Sequence, residues 1–442
     1  MLSAGTTRLR VEDPELAGLL DDELTRQDEA LSLVASAGVA DASVLAAGAA
    51  ALSDVTAEGY PGSRFHPGAE RFDAVERLAA ARARAAFGAS HANVQPHSCS
   101  AANLAVLTAL LPVGGVLLGL RLDAGGHLTH GAPASVTGRW FRPVSYGVGD
   151  DGLIDYAAVA RVAREHRPGV IVAGASAHPR RLDHVGFREI ADEVGAYLLA
   201  DVSHVAGLVA AGLHPNPIDV AHVTTMSTYK QLDGPRGGLI LLGREHDHPG
   251  PDGTPLARLI DRAVFPGTQG TPAPAAIAAK ARALDRVREP EFERTARLVL
   301  DDAAALATAL RGHGYRLLTG GTDTHMVVLD LRPGGPSGLV AERALEECGI
   351  LANRNSVPGD TRPPTVTSGL RLGTNVLARR GMGPAEMAQC ARLVDRVLRC
   401  VAPVDATRYR LDPAVRAEVR AEVRELTRSF PLPGRPVPEG VR

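Results

Sequence analysis

Lysine is the residue this chain nearly does without. Of its 48 basic residues only Lys230 and Lys280 are lysine, and the others are arginine. Cysteine is scarce as well: Cys99, Cys348, Cys390 and Cys400 stand far apart and form no CxxC pair. Neither a disulfide framework nor a zinc site is therefore expected, and a reducing, cytoplasmic setting fits. There is no surplus of either charge, since 48 basic residues face 50 acidic ones, so a polyanion such as nucleic acid has nothing to hold. The first fifteen residues carry Arg8 and Arg10 without an apolar run, so no signal peptide is expected. The longest uncharged stretch, 101–120, could span a membrane by length. Asn103, Pro112, Gly114 and Gly115 divide it into a helix, a turn and a strand instead. What remains is an ordinary globular composition, 45% apolar and 22% charged, over 442 residues, a length that predicts more than one domain.

Arginine serves wherever a positive charge merely solvates a surface. A lysine kept in such a chain marks a place where guanidinium will not do, because guanidinium stays protonated while a desolvated amine can become a nucleophile. Lys230 follows the strand-like run HVTTMST and precedes the turn-rich DGPRGG, a setting that suits a catalytic amine at a strand's carboxyl end. Lys280 lies in the alanine-rich AAIAAKARALDRV and reads as a solvated helix residue.

Along the chain, residues 1–40 read as a helical arm. Residues 70–87 put Phe72, Val75, Leu78, Ala79 and Ala86 on one helical face, closed by Gly88. Beyond residue 90, apolar strands at 170–176, 196–204, 222–228 and 237–243 alternate with helices such as 187–194. Continuous apolar strands in this order predict a largely parallel sheet covered by helices. Ligands bind at the strand carboxyl ends of such sheets, which singles out Ser176, Asp201, His204 and Lys230. The expected division is a large α/β domain over 41–288, a smaller α+β domain over 289–405, and a tail over 406–442 of one charged helix and a proline-rich end. His246 and His248 read as exposed loop residues, and no metal is expected.

Several features bear on chemistry. HSCSAAN places Ser98, Cys99 and Ser100 at a helix start, where free amides favour a phosphate, although a plain N-cap looks the same. Asp201 ends a very apolar strand, where a carboxylate needs a cation, from the chain or from a ligand. His127 sits in a turn-rich loop, placed to stack on a ring or to face solvent. Arg371, in SGLRLGT, could grip a carboxylate. An aromatic aldehyde phosphate that acts on amino acids needs an amine, a carboxylate, phosphate donors, a flat partner and an arginine. All five are available.

The runs AEGYPGSRF (57–65), ANVQPHSCSAANLAV (92–106), GGHLTHGAP (125–133), FREIADEVGAYLLADVSHVAGLVAAGLHP (187–215), GPRGGLIL (234–241), VFPGTQG (264–270), GGTDTHMVVLDLR (320–332) and VTSGLRLGT (366–374) carry more than composition. In this order they resemble the serine hydroxymethyltransferase family, over roughly residues 10–400. The resemblance implies the type I fold of pyridoxal-phosphate-dependent transferases: α/β, a mostly parallel central sheet and a smaller C-terminal α+β domain. It implies that Lys230 binds the cofactor aldehyde, Asp201 pairs with the pyridine nitrogen and His127 stacks on the ring. His204 and Ser176 match residues near the ring, Ser98, Cys99 and Ser100 the phosphate cradle, and Gly270 a loop approaching the neighbouring subunit's phosphate. Arg371 matches the arginine for the substrate carboxylate, with Ser36 also on the substrate side. Glu58 matches the carboxyl implicated in proton transfer at the hydroxymethyl group. Phe65, Leu122, Gly126 and Asn355 match folate-lining positions. The 56–66 segment reaches the partner's site in the family, which implies an obligate homodimer with shared active sites; a tetramer is left open.

Departures from the family cluster around the pocket. ASEN becomes Ala35-Ser36-Ala37-Gly38, two tyrosines become Phe65 and His66, and a third becomes Thr56, so Thr56 and His66 join the candidate catalytic group. Tyr229 replaces the histidine before the lysine, Asp233 an arginine or alanine, and Thr271 a glycine, with Ala273-Pro274-Ala275 in place of LMH. Smaller side chains at 56 and 37 are expected to reshape the substrate space. The expected activity is hydroxymethyl transfer or aldol chemistry at Cα of a small amino acid: serine and glycine, or an α-methyl- or α-hydroxymethyl-serine, with tetrahydrofolate as carbon carrier. The alternatives are a folate-independent threonine transaldolase and, from another class, a non-catalytic binding module.

Overall fold

The computed structural model describes residues 2–332 and 334–434. Among its longer helices are α1 Leu2–Glu12, α2 Pro14–Glu29, α3 Glu70–Phe87, α4 Cys99–Leu110, α5 His184–Val194, α6 Pro274–Arg286, α7 Pro290–Gly312, α8 Pro384–Cys400 and α9 Pro413–Ser429. Seven strands make the central sheet: β1 His91–Asn93, β2 Val116–Leu120, β3 Arg142–Tyr146, β4 Val170–Gly174, β5 Tyr197–Asp201, β6 Val223–Ser227 and β7 Gly238–Leu242. Their spatial order is β1-β7-β6-β5-β4-β2-β3. The five strands from β6 to β3 run parallel, and β7 and β1 join the edge antiparallel.

The apolar runs are strands because both of their faces are covered. On β5, Leu198 and Ala200 pack beneath α5 with Phe187 and Ile190, while Leu199 faces the opposite layer with Val106 and Leu107 of α4. Each such leucine gains roughly 1.5–3 kcal/mol from burial. On α3, Phe72 and Ala79 enter the core but Leu78 is 46% exposed, so the expected apolar face is narrower than the spacing suggested. Gly88 closes that helix at φ 73°, a left-handed conformation that glycine adopts without Cβ strain.

A second sheet is antiparallel, in the order β8 Arg316–Leu317, β9 Met326–Asp330, β11 Gly369–Gly373, β10 Asn353–Asn355. Its core takes Leu31 and Leu33 from the segment after α2, and Val419, Val423 and Leu426 from α9. The chain near residue 30 and the charged tail helix thus close the same core. Most of the proline-rich end lies outside the described residues. Among the described residues no helix is long and apolar enough to cross a membrane, and the stretch at 101–120 resolves into α4 and β2.

Two sequence readings are corrected. Lys280 is not solvated: it is 2% exposed, and its amine donates to three backbone carbonyls. An alanine-rich helix offers no periodic signal that distinguishes its buried side. His246 and His248 are half-buried rather than exposed, because the turn at Arg244–Asp247 folds back on the sheet and His248 stacks edge-on against Tyr197 and His222.

Candidate active site

Asp201 is the last residue of β5, opposite Gly174 of β4. A Cβ on Gly174 would stand 2.8 Å from that of Asp201, so only glycine leaves room for the carboxylate. Asn103 Nδ2 and His130 Nε2 donate to Oδ2 at 2.8 and 3.1 Å. The Ser203 hydroxyl and backbone N–H donate to Oδ1 at 2.6 and 3.0 Å. The backbone N–H of His127 is directed at His130 Nδ1, which leaves the His130 proton on Nε2, facing the carboxylate. Burial opposes the charge, yet these donors, His130 first, hold Asp201 well below the usual carboxylate range. Among the described residues its ion-pair partner is His130, with no lysine or arginine at pairing distance. A buried carboxylate held ionised in this way is suited to pair with a cation that a ligand brings, and a protonated pyridine nitrogen is such a cation.

Lys230 follows β6 in the turn at 228–233. It is 6% exposed, and its amine makes no hydrogen bond or ion pair among the described residues. Burial lowers its pKa to about 8, with the charge of Asp201 opposing. An amine so poised is a nucleophile near neutral pH.

Ser98 caps α4. Its hydroxyl takes the Ala101 N–H and its carbonyl the Ala102 N–H. The amides of Cys99 and Ser100 are left for an outside acceptor, at the positive end of the helix dipole. The capping and phosphate readings are thus compatible: the side chain caps and the backbone is free. His127 lines the same cavity. Its Nδ1 is engaged by Thr129, and burial lowers its pKa to about 4, so it presents a neutral ring. The donor atoms of His127, His130 and Asp201 lie within 4.8 Å of one another. The Nδ1 atoms of both histidines face backbone N–H groups, and His130 Nε2 faces Asp201.

Ser176 and His204 line the same space. His204 stacks on His325, with centroids 5.7 Å apart, and its buried Nδ1 has no hydrogen-bond partner among the described residues. Burial, then Lys230, push its pKa far down, so it is neutral. Arg371, on β11, donates through Nε to Asn353 and through Nη1 to the Ser176 carbonyl. Burial lowers it to about 10, still cationic at neutral pH, and no carboxylate of the described residues pairs with it. The Arg236 guanidinium lies 4.4 Å over the Tyr229 ring, and both border the cavity. Ser36 and Ala37 face an adjoining cavity that shares Tyr229 and Arg236 with it.

The other candidates lie elsewhere. Thr56, Glu58, Phe65 and His66 belong to the segment of the short hairpin Gly59–Tyr60 and Ser63–Arg64, and none lines the Lys230 cavity. Arg64 fastens this hairpin through buried contacts to Asp73 and Glu76 of α3. Phe65 is 74% exposed and packs against Phe265 with tilted rings, centroids 5.6 Å apart. Gly270 stands beside the hairpin, since a Cβ there would lie 3.1 Å from Glu58 Oε1. Leu122 is exposed on the loop after β2. Gly126 is packed so tightly that a Cβ would lie 2.0 Å from the Leu120 carbonyl oxygen. Asn355 ends β10, two residues beyond the Arg371 partner Asn353.

Sequence reading passed over Asn103, Thr129, His130 and Ser203, although all four lie inside the quoted runs. Asn103 gave a usable signal: it is the one strongly polar side chain in the body of an apolar helix, one turn beyond Cys99.

An unbonded buried amine, a buried carboxylate with no lysine or arginine at pairing distance among the described residues and free amides at a helix start, all at the carboxyl ends of a mostly parallel sheet, define a pyridoxal-phosphate enzyme of fold type I. Comparison with known proteins narrows this. The family profile of serine hydroxymethyltransferase matches residues 9–394. The chain is 47% identical over 422 residues to a serine hydroxymethyltransferase of Phenylobacterium zucineum (strain HLK1), covering 95% of each. It is 47% identical over 428 residues to the serine hydroxymethyltransferase of Rhodospirillum centenum (strain ATCC 51521 / SW), covering 97% of each. The chain belongs to the serine hydroxymethyltransferase family, whose members are transferases that use pyridoxal phosphate, with tetrahydrofolate as cosubstrate.

Proposed function

We propose that the chain transfers a hydroxymethyl group to and from Cα of a small α-substituted amino acid, an α-methyl- or α-hydroxymethyl-serine, with tetrahydrofolate as the carbon carrier. The observation that carries the reaction class is the presence in one cavity of Lys230, buried and unbonded among the described residues, and of Asp201, held ionised with His130 as its ion-pair partner and no lysine or arginine at pairing distance. Pyridoxal phosphate supplies the electron sink at Cα. The chain's residues do the rest. Asp201 keeps the pyridine nitrogen protonated, the amides of Cys99 and Ser100 hold the phosphate, and His127 covers the ring. Arg371, already fixed by Asn353 and Ser176, orients the substrate carboxylate. Lys230 gives and takes the proton at Cα.

The hydroxyl proton falls to Glu58 of a second copy. Thr56, Glu58, Phe65, His66 and Gly270 lie together and away from their own cavity, which supports a homodimer in which each hairpin completes the other site. Phe65, Leu122, Gly126 and Asn355 are assigned to folate. Thr56 and Ala37, smaller than the family's residues, leave room for a second substituent on Cα, and His66 takes over hydrogen bonding from the lost tyrosine.

The test incubates the protein with glycine, L- and D-serine, D-alanine and L-threonine, each with and without tetrahydrofolate, and follows products by mass. Folate-dependent hydroxymethyl exchange, strongest on an α-branched substrate or D-alanine, is the expected outcome. Folate-independent acetaldehyde release from threonine, with transfer to an added aldehyde, would replace this reading by a transaldolase.

A further inference from the structure

The second lysine has no part in the chemistry above, yet it is among the most completely buried large side chains of the chain. Lys280 sits on α6, and its amine donates to the carbonyls of Val94 at 2.6 Å, Pro96 at 2.9 Å and Gly238 at 3.0 Å. Val94 and Pro96 belong to the connection between β1 and α4, and Gly238 opens β7. The strands are still joined here, because the Gly238 N–H donates to the Pro96 carbonyl at 2.9 Å. Three carbonyl oxygens converge here on one buried point, and a single compact group with three donors reaches them all, adding a second bond at the Pro96 carbonyl. An ammonium provides those donors in a tetrahedral array. A guanidinium is a flat fork and cannot.

We infer that Lys280 is a positioning residue for the cofactor phosphate, fixing from behind the turn that delivers the amides of Cys99 and Ser100. Close packing transmits the constraint. A Cβ on Gly238 would lie 2.5 Å from the Ser98 carbonyl oxygen and 3.0 Å from the Cys99 nitrogen, so the first residue of β7 bears directly on the phosphate turn. A Cβ on Gly237 would lie 2.2 Å from Lys280 Cε, and Gly237 lines the Lys230 cavity. The Gly237 carbonyl in turn accepts the Thr228 N–H, two residues before Lys230. One buried amine thus ties together the phosphate turn, the cavity wall and the start of the turn that carries the nucleophile. Burial lowers its pKa to about 7, with Glu76 opposing, while the three carbonyls favour its charged form. Within a chain that uses arginine everywhere else, both remaining lysines then serve one cofactor, Lys230 at its aldehyde and Lys280 behind its phosphate.

The test separates a phosphate effect from general support of the fold. Apo protein is titrated with pyridoxal 5′-phosphate and with pyridoxal, which lacks the phosphate. Lys280→Met is expected to weaken pyridoxal phosphate binding about tenfold or more and pyridoxal binding less than about threefold, and Lys280→Arg is expected not to rescue it. Equal losses for both aldehydes, or full rescue by arginine, would overturn the inference. A second measurement needs no substitution. Lysine labelled with 15N at Nζ gives two side-chain signals, and that of Lys280 is expected to shift on loading with pyridoxal phosphate and to shift less with pyridoxal. A Lys280 signal indifferent to the phosphate would likewise overturn it.

Discussion

Two departures from the family pattern, Gly38 and Asp233, are one local rearrangement. A Cβ on Gly38 would lie 2.1 Å from the Lys230 carbonyl oxygen and 2.8 Å from Asp233 Oδ1. The neighbouring Val39 N–H donates to that same oxygen at 2.8 Å, and Arg379 pairs with Asp233 at 3.0 Å. Losing the side chain at 38 therefore creates no space; it lets the segment close against the turn that carries Lys230. Gly38→Ala is expected to destabilise the protein by about 2 kcal/mol through overpacking and to raise the dissociation constant for pyridoxal phosphate, as chemical denaturation and titration would show. At Lys230 itself, burial holds the pKa near 8. The proton leaves as pH rises through that value, so capture of the cofactor by apo protein should accelerate up to about pH 8 and level off above, measured by the growth of cofactor absorbance in stopped flow. The scarcity of lysine pointed to Lys230 before any fold was known. For Lys280 the same clue was available, but its three carbonyl partners come from two segments far away in sequence, and only the packed sheet edge brings them together.

Elements were legible where local pattern and burial agree. The runs that became β4, β5 and β7 are mostly apolar because helices cover both faces, and such runs announce themselves, whereas β6 carries Thr224, Thr225 and Ser227 into the interior. The hairpin at 59–64 carried no such signal: its two strands have two residues each, and what fixes it is Arg64 reaching Asp73 and Glu76 on α3. The contact between α7 and α8 was equally invisible. There Asp302 is fully buried, neither of its oxygens has a hydrogen-bond partner among the described residues, and burial raises its pKa to about 8, with Asp301 and Glu386 adding to the rise. The folded state binds this proton more tightly than the unfolded chain. Its contribution is therefore fully present below about pH 4 and is lost as pH rises toward 8. Asp302→Asn is expected to raise Tm at pH 8 and above, by on the order of 1–2 kcal/mol of stability, and to change it little at pH 5. Thermal melts at the two pH values check this.

At the scale of the molecule, the candidate residues fall into two groups that a single copy does not unite. Lys230, Asp201, His127 and the amides at the start of α4 share one cavity, whereas Glu58, Phe65, His66 and Gly270 stand apart from it. The order of residues along the chain gave no hint of that separation; it came from the resemblance, and the geometry gives it a physical form. If each hairpin completes a neighbour's cavity, Glu58→Gln and Lys230→Ala proteins, each inactive alone, should recover activity when unfolded together and refolded as a mixture. Absence of recovery, with hybrid dimers demonstrated by native mass spectrometry, would argue for sites built within one copy.

The burial of both lysines reaches beyond the site. The outside of the protein therefore offers amine-directed labels and cross-linkers no lysine side chain, so a stray aldehyde meets no exterior lysine with which to form an imine.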